Sequence, residues 1–436
     1  MHTKISGLSL QVLFLGMYKI LLDFVFLKAY YDIYAYMIGG SYEWEPVKYL
    51  ISMISLAFFL FLTYVCYSGD NSIQKIIITF FMVICIIPML SVYAFLSYVK
   101  TSSIIYPVLF WILMLLCITR KDWLARRTRR IAIPSVKQAS MGLLIICAFW
   151  GLLCWVWAGF PVLLSLSDST ATRIALRVNR MPTLLGYVFV ILGGVIFPYL
   201  FARYLDASKR VLAIISMGIG FLLYSINGMK TWLFLYAFIV GMYFLCGSRK
   251  GDVQKMCNSI VLVICALLVV CVASYILGGV DLLSQFGRVF CIPSSIGFKS
   301  INFFGQADNP YLFLRESILR SFFESPYPGG SDFYMNHGSE ITINSGRANN
   351  GLWGDAYRNF GIIGILIYPF FISRCLASVA RSVNHKSLRF QIIIVFLAIW
   401  NAVNLSFFTW LITGGVIALL IFNDFFASED LKEKQT

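Results

Sequence analysis

Arg173, Arg177 and Arg180 recur at i, i+4 and i+7. If Ser169–Met181 is helical, the 100° step per residue gathers them into one stripe roughly 60° wide. Asp168 or Ser169 is placed to cap that helix and Pro182 to end it, while Ile174, Val178 and Met181 cover another face. Stacked guanidiniums repel one another unless an anion neutralises them. The planar arginine fork binds two phosphate oxygens at once and never deprotonates. The stripe therefore reads as a phosphate or pyrophosphate site, with contact to anionic lipid headgroups as the plainer alternative.

Groups for proton transfer are scarce. Of three histidines, His337 alone lies in the long polar segment 279–355. An imidazole titrates near neutrality and can take a proton from an attacking hydroxyl. Asp332, Glu340 and Asp355 are nearby carboxylates that could act in its place. The same segment holds two further cations, Arg315 and Arg347. Asn309-Pro310 predicts a helix through about Phe323. Its apolar stripe is Leu312, Ile318, Leu319, Phe322 and Phe323, and it lies along a membrane interface. Arg315 falls inside that stripe, where it either snorkels to headgroups or meets a buried anion. Glu316 and Arg320 form an exposed i,i+4 pair. Asn401 and Asn404 serve either a substrate or a neighbouring helix.

The elements that must position these residues are membrane helices. The 436 residues are 59% hydrophobic and only 13% charged, with a mean hydropathy of +0.80. Soluble domains carry about 25% charged residues. Twelve stretches approach the roughly 20 apolar residues that a hydrocarbon core demands. They are 9–29, 47–67, 73–97, 103–119, 139–160, 184–203, 211–227, 230–246, 257–278, 356–373, 389–406 and 410–426. The first reads as a signal anchor.

The net charge of +15 sorts by side. Arg120, Lys121, Arg126, Arg127, Arg129, Arg130 and Lys137 crowd one loop and make it cytoplasmic by the positive-inside rule. Counting outward from that loop puts both termini on the same side, and segments 161–183 and 279–355 on the other. Most of the positive charge therefore orients the chain, and no nucleic-acid partner is needed to explain it. The eleven cysteines lie mostly in or beside spans, so no disulfide framework is implied. Neither a metal-ligand motif nor a P-loop nor a dinucleotide fingerprint occurs. The chain divides into spans one to nine (1–278, with the basic loop 161–183), a large loop (279–355), and three closing spans with a cytoplasmic tail (356–436).

That large loop is rich in Gly, Ser, Asn, Tyr and Pro, a composition that suits sugar hydroxyls and sugar faces; a solvated lid is the alternative. At its end stands Asn349-Asn350-Gly351-Leu352-Trp353-Gly354-Asp355-Ala356-Tyr357-Arg358-Asn359-Phe360-Gly361-Ile362-Ile363-Gly364. This passage resembles the N-G-x-x-G-D-A-Y-x-N-F-G-x-x-G run of bacterial O-antigen and oligosaccharide repeat-unit polymerases, the Wzy-type proteins. The order of parts is also similar: many spans, a large loop two thirds along, a few closing spans. The resemblance implies an all-α polytopic membrane enzyme of the C-type glycosyltransferase (GT-C) class in the inner membrane, with its active site facing the periplasm. The implied reaction, a step of lipopolysaccharide biosynthesis, moves a growing glycan from undecaprenyl pyrophosphate onto the terminal sugar of another lipid-linked repeat. The implied partners are those substrates, the membrane lipids and a chain-length regulator of the same pathway.

The residues fit this chemistry. A pyrophosphate leaving group already activates the donor, so the reaction calls for no cofactor and no metal. Arginines help most where negative charge builds in the transition state. Arg173, Arg177, Arg180, Arg315 and Arg347 are the pyrophosphate candidates. His337, Glu340 and Asp355 are the catalytic candidates, and Asn349, Asn350, Trp353 and Tyr357 the glycan-binding ones. Gly351, Gly354, Gly361 and Gly364 equally suit a loop-to-helix turn and close packing. An O-antigen ligase would use the same donor. A flippase or secondary transporter, and a binding scaffold without catalysis, are the readings from other classes.

Overall fold

A computed structural model describes residues 10–27, 43–66, 72–120, 139–161, 181–245, 253–278, 282–317, 322–327, 352–384 and 386–433. These residues are helical, joined by turns. In chain order the helices are α1 (Leu10–Leu27), α2 (Pro46–Cys66), α3 (Ser72–Phe81), α4 (Ile87–Phe95), α5 (Ile105–Thr119), α6 (Ala139–Trp157), α7 (Thr183–Ile191) and α8 (Phe197–Asp206). There follow α9 (Arg210–Asn227), α10 (Lys230–Leu245), α11 (Val253–Ile276), α12 (Leu282–Phe290), α13 (Ile292–Phe304) and α14 (Leu352–Val383). The chain closes with α15 (Leu388–Asn404), α16 (Phe407–Ile412) and α17 (Val416–Glu433).

Among the described residues nine helical runs are long and apolar enough to cross a membrane. Three shorter apolar helices, Met141–Trp157, Lys230–Leu245 and Leu388–Asn404, cover further stretches of the same character. Two runs contain a π-helical turn: Met82–Ile86 joins α3 to α4, and Leu192–Ile196 joins α7 to α8. Each turn is followed two residues on by a proline, Pro88 or Pro198. A proline ring clashes with the carbonyl four residues back, and the wider turn relieves that clash.

The chain forms two compact units. One draws on Met1–Trp123, Asp252–Arg374 and Ala402–Phe408. Its centre is the α3–α4 run, which is buried from Ile76 to Phe95. Helices α2, α5, α11 and α13 surround it. Several polar side chains inside this unit are paired. Gln11 donates to Thr79 (3.0 Å) and Gln254 to Gln11 (2.5 Å). Lys19 bonds Asp23 on α1 (2.6 Å), and Ser91 of α4 donates to the same carboxylate (2.6 Å). The Lys19 ammonium also lies 5.7 Å from the centre of the Tyr49 ring.

The second unit draws on Leu124–Gly251, Cys375–Asn401 and Thr409–Thr436. Asn423 on α17 accepts from Tyr199 (2.9 Å) and donates to Ser382 (2.8 Å). Arg389 bonds Asp206 (2.6 Å) and stacks 4.4 Å from the Tyr243 ring. Asn401 holds the Gly414 carbonyl (3.0 Å), the interhelical role open to it from sequence.

One sequence expectation is corrected here. The described residues 309–317 and 322–327 form turns and bends with no helix, and Phe313 and Leu314 both adopt left-handed φ, +46° and +67°. A stripe of apolar residues favours a helix only while the backbone N–H groups stay within it. Here three of them bond to another element.

Candidate functional site

That element is α14, built from the run that resembles the polymerase motif. Its helix is broken at Gly361, where φ is +56° and ψ is −137°. This combination is open essentially to glycine alone. The chain folds back there. A Cβ on Gly364 would collide with the Ala356 carbonyl, and the Phe360 and Tyr368 rings stand 6.3 Å apart. In an unbroken helix, residues eight apart are separated by about 12 Å.

Breaking a helix frees carbonyls that must find donors, the more so in an apolar setting. The Leu312 N–H donates to the Arg358 carbonyl (3.0 Å) and the Phe313 N–H to the Asn359 carbonyl (3.2 Å). The Leu314 N–H donates to the Asn359 side-chain oxygen (2.8 Å). The turn is also knit internally. Arg315 N–H and the Ser317 hydroxyl donate to the carbonyls of Leu312 (3.0 Å) and Leu314 (2.6 Å). Tyr327 donates to the Pro310 carbonyl (2.9 Å). Burial, with the nearby Glu316 carboxylate, pushes the Tyr327 phenol up to about 12.

Asp355 is the hub before the break. Its Oδ1 accepts from Arg358 Nε and Nη2, both at 3.1 Å, and from Asn359 Nδ2 at 3.2 Å. Its Oδ2 accepts the Phe407 N–H at 3.0 Å, at the start of α16. The Asn359 amide also donates to the Asp355 carbonyl (2.8 Å). Asp355, Arg358 and Asn359 are all buried.

The start of α14 crosses α13 closely. A Cβ on Gly354 would stand 2.8 Å from Gly297 Cα. Trp353 lies over Gly297 and edge-on to Phe298, with ring centres 4.9 Å apart. Tyr357 packs between Tyr106 (5.0 Å) and Tyr311 (6.2 Å).

Comparison with known families, with curated proteins and with solved structures finds no match to this chain. The site therefore rests on its own geometry.

That geometry brings Asp355, Trp353, Tyr357 and Arg315 around one broken helix. Trp353 and Tyr357 are only 2% and 5% exposed, so both rings serve as packing and neither offers a free face. Arg315 is half-buried, its guanidinium 6.0 Å from the Phe313 ring centre. No carboxylate pairs with it among the described residues. Glu316 instead accepts from Ser325 (2.8 Å). Arg173, Arg177, Arg180, Arg347, His337, Glu340, Asn349 and Asn350 lie outside the described residues, as do Arg320 and Asp332.

Three features escape a reading by spacing. Arg358 and Asn359 stand inside the motif, but the bonds their carbonyls and the Asn359 side chain accept come from the distant segment 312–314. Lys299 on α13 is half-buried, 5.9 Å from the centre of the Tyr98 ring, and its burial lowers the amine to about 8. Tyr98 itself bonds Ser295 (2.6 Å), and its carbonyl accepts from Asn302 (2.6 Å). Burial pushes the Tyr98 phenol above its ordinary value. The signal that could have found the α13 contacts is the polar i, i+4, i+7 stripe Ser295–Lys299–Asn302.

Proposed function

We propose that this chain is a membrane glycosyltransferase with about twelve spans and a GT-C-like architecture. It polymerises undecaprenyl-pyrophosphate-linked repeat units of O-antigen, or of a similar surface polysaccharide, on the periplasmic face of a bacterial inner membrane. One observation carries the reading. The run that resembles the polymerase motif builds a single element, a broken helix, and that element holds a cation-bearing turn made by a distant part of the chain. Four glycine, aspartate and asparagine positions of the motif (Gly354, Asp355, Asn359 and Gly361) have definite work there, as close crossing, hub, clamp and break.

In this reading the acceptor hydroxyl attacks the anomeric carbon of the donor glycan. The new C–O bond forms as the bond to pyrophosphate breaks, and the leaving group departs with the electron pair. Arg173, Arg177 and Arg180, supported by Arg315 and Arg347, stabilise that charge. His337, with Glu340 near it in sequence, takes the acceptor proton. Asn349 and Asn350 bond sugar hydroxyls. Asp355, whose carboxylate already accepts from Arg358, Asn359 and the Phe407 N–H, is a positioning residue. A lipid-linked glycan transporter is the second reading, because discontinuous helices mark binding sites in transporters. Against it, the intramembrane Lys19–Asp23 pair is mutually neutralised and closed by Ser91.

The test is the full-length protein in lipid nanodiscs, incubated with lipid-linked repeat units. Longer lipid-linked glycans are expected, and Arg177→Ala and His337→Ala should each abolish most of the elongation. Folded protein that never elongates the substrate defeats the reading. In cells, loss of the gene should leave lipopolysaccharide with a single repeat; a bare core would indicate a ligase.

A further inference from the structure

We infer that Asn359 is a positioning residue that aims Arg315 at the pyrophosphate of a lipid-linked donor, through the strained turn Phe313–Leu314. The inference rests on the polymerase reading for the identity of the anion, and on the structure for the device. Two successive non-glycine residues in the left-handed region are uncommon, and for bulky Phe and Leu they are strained. Such strain persists only where surrounding contacts over-determine it. Here those contacts are the three N–H donations from 312, 313 and 314 to Arg358 and Asn359.

Asn359 is the member that cannot be replaced by backbone. Its amide nitrogen is spent on the Asp355 carbonyl and carboxylate, which fixes the orientation of the side chain. Its oxygen is thereby turned to the Leu314 N–H, immediately before Arg315. Order thus passes along a chain of hydrogen bonds from Asp355 through Asn359 to Leu314. The next residue is an arginine that is half-buried without a carboxylate partner among the described residues. A guanidinium in that state calls for an anion, and phosphate oxygens match its fork.

A double-mutant cycle separates positioning from mere support of the fold. Full-length protein is reconstituted in phosphatidylcholine nanodiscs and its affinity for geranylgeranyl pyrophosphate measured. Arg315→Ala and Asn359→Ala should each weaken binding about tenfold or more, the scale of one charged hydrogen bond. The double variant should bind no more weakly than Arg315→Ala. Losses that multiply to about a hundredfold, or parent-like binding by Asn359→Ala, would overturn the inference. If Asn359→Ala yields no folded protein, Asn359→Gln takes its place in the cycle. Gln keeps the amide but displaces its oxygen by one methylene. Phosphatidylglycerol is then added to the nanodisc. Unchanged pyrophosphate affinity supports the donor as the source of the anion; loss of the Arg315 effect makes it a headgroup and overturns the assignment. A parent that binds no pyrophosphate defeats the polymerase reading itself, whereas bound pyrophosphate with multiplying losses defeats only the role of Asn359.

Discussion

Two buried ion pairs in the same unit differ in what they are wired to. Lys19–Asp23 is an i,i+4 pair on the continuous helix α1, closed by the Ser91 hydroxyl. Asp355–Arg358 is an i,i+3 pair just before the Gly361 break, and its carboxylate also holds the Asn359 amide and the first N–H of α16. The first pair satisfies itself. The second also takes the N–H that starts another helix and fixes the Asn359 side chain that serves the turn against the break. A buried charge pair of the first kind is a packing device; one of the second kind fixes where other segments lie.

The largest expected effect tests that distinction. Removing one partner of a buried pair leaves an uncompensated charge and costs about 3–5 kcal/mol. Asp23→Ala and Asp355→Ala should therefore both lower the thermal stability of the detergent-solubilised protein severely. Replacing whole pairs should divide them. Lys19→Leu with Asp23→Leu is expected to restore most of the stability, since well-packed apolar groups commonly match an ion pair. Asp355→Leu with Arg358→Leu should restore little, because the Phe407 N–H and the Asn359 amide lose their acceptor. Equal rescue at both sites would erase the comparison.

A matched glycine pair sharpens it. Gly16 lies on α1 with open space where a Cβ would stand. Gly16→Ala should be neutral or stabilising by up to about 1 kcal/mol. Gly361→Ala demands a backbone conformation that costs alanine about 1–3 kcal/mol. The new methyl would also stand 2.6 Å from the Tyr311 hydroxyl. Its loss of stability should be accompanied by faster amide exchange at Leu312–Leu314, whose acceptors depend on the break. A Gly361→Ala protein with unchanged exchange there would separate the turn from the break.

How much of this was legible in the sequence follows from how local each signal is. Long, mainly apolar runs such as 73–95 announce themselves, because burial in hydrocarbon or in protein demands the same composition. The glycines of the 354–364 run could be read as close crossings and a turn, and they are. What each residue faces could not be read. Trp353 and Tyr357 look like sugar-stacking rings until Gly297, far earlier in the chain, is seen to make room for the indole. The stripe after Asn309 has helical spacing, yet the Leu312 and Phe313 N–H groups go to carbonyls that only the Gly361 break releases. Lys19 and Asp23 show i,i+4 spacing; their closure by Ser91 is a contact across two helices that spacing does not reveal.

Lys299 gives the smallest effect and lies between the two kinds of pair. Its ammonium approaches the Tyr98 ring, and burial lowers the amine from its ordinary value to about 8. The folded protein thus binds this proton less tightly than the unfolded chain does. Below pH 8 both states are protonated and the fold bears the cost of a partly buried charge. As the pH rises from 8 towards about 10.4, the ordinary lysine value, the folded state sheds its proton first and the cost is relieved. Stability contributed at this site should therefore rise with pH over that window. Lys299→Met should raise the melting temperature by about 1–2 °C at pH 7 and flatten the rise between pH 8 and 10. A steeper slope in the variant, or a melting temperature lowered at neutral pH, would mean that the ammonium is held by an anion as the Asp355 hub holds Arg358. Lys299 would then belong with the wired charges and not with the merely buried ones.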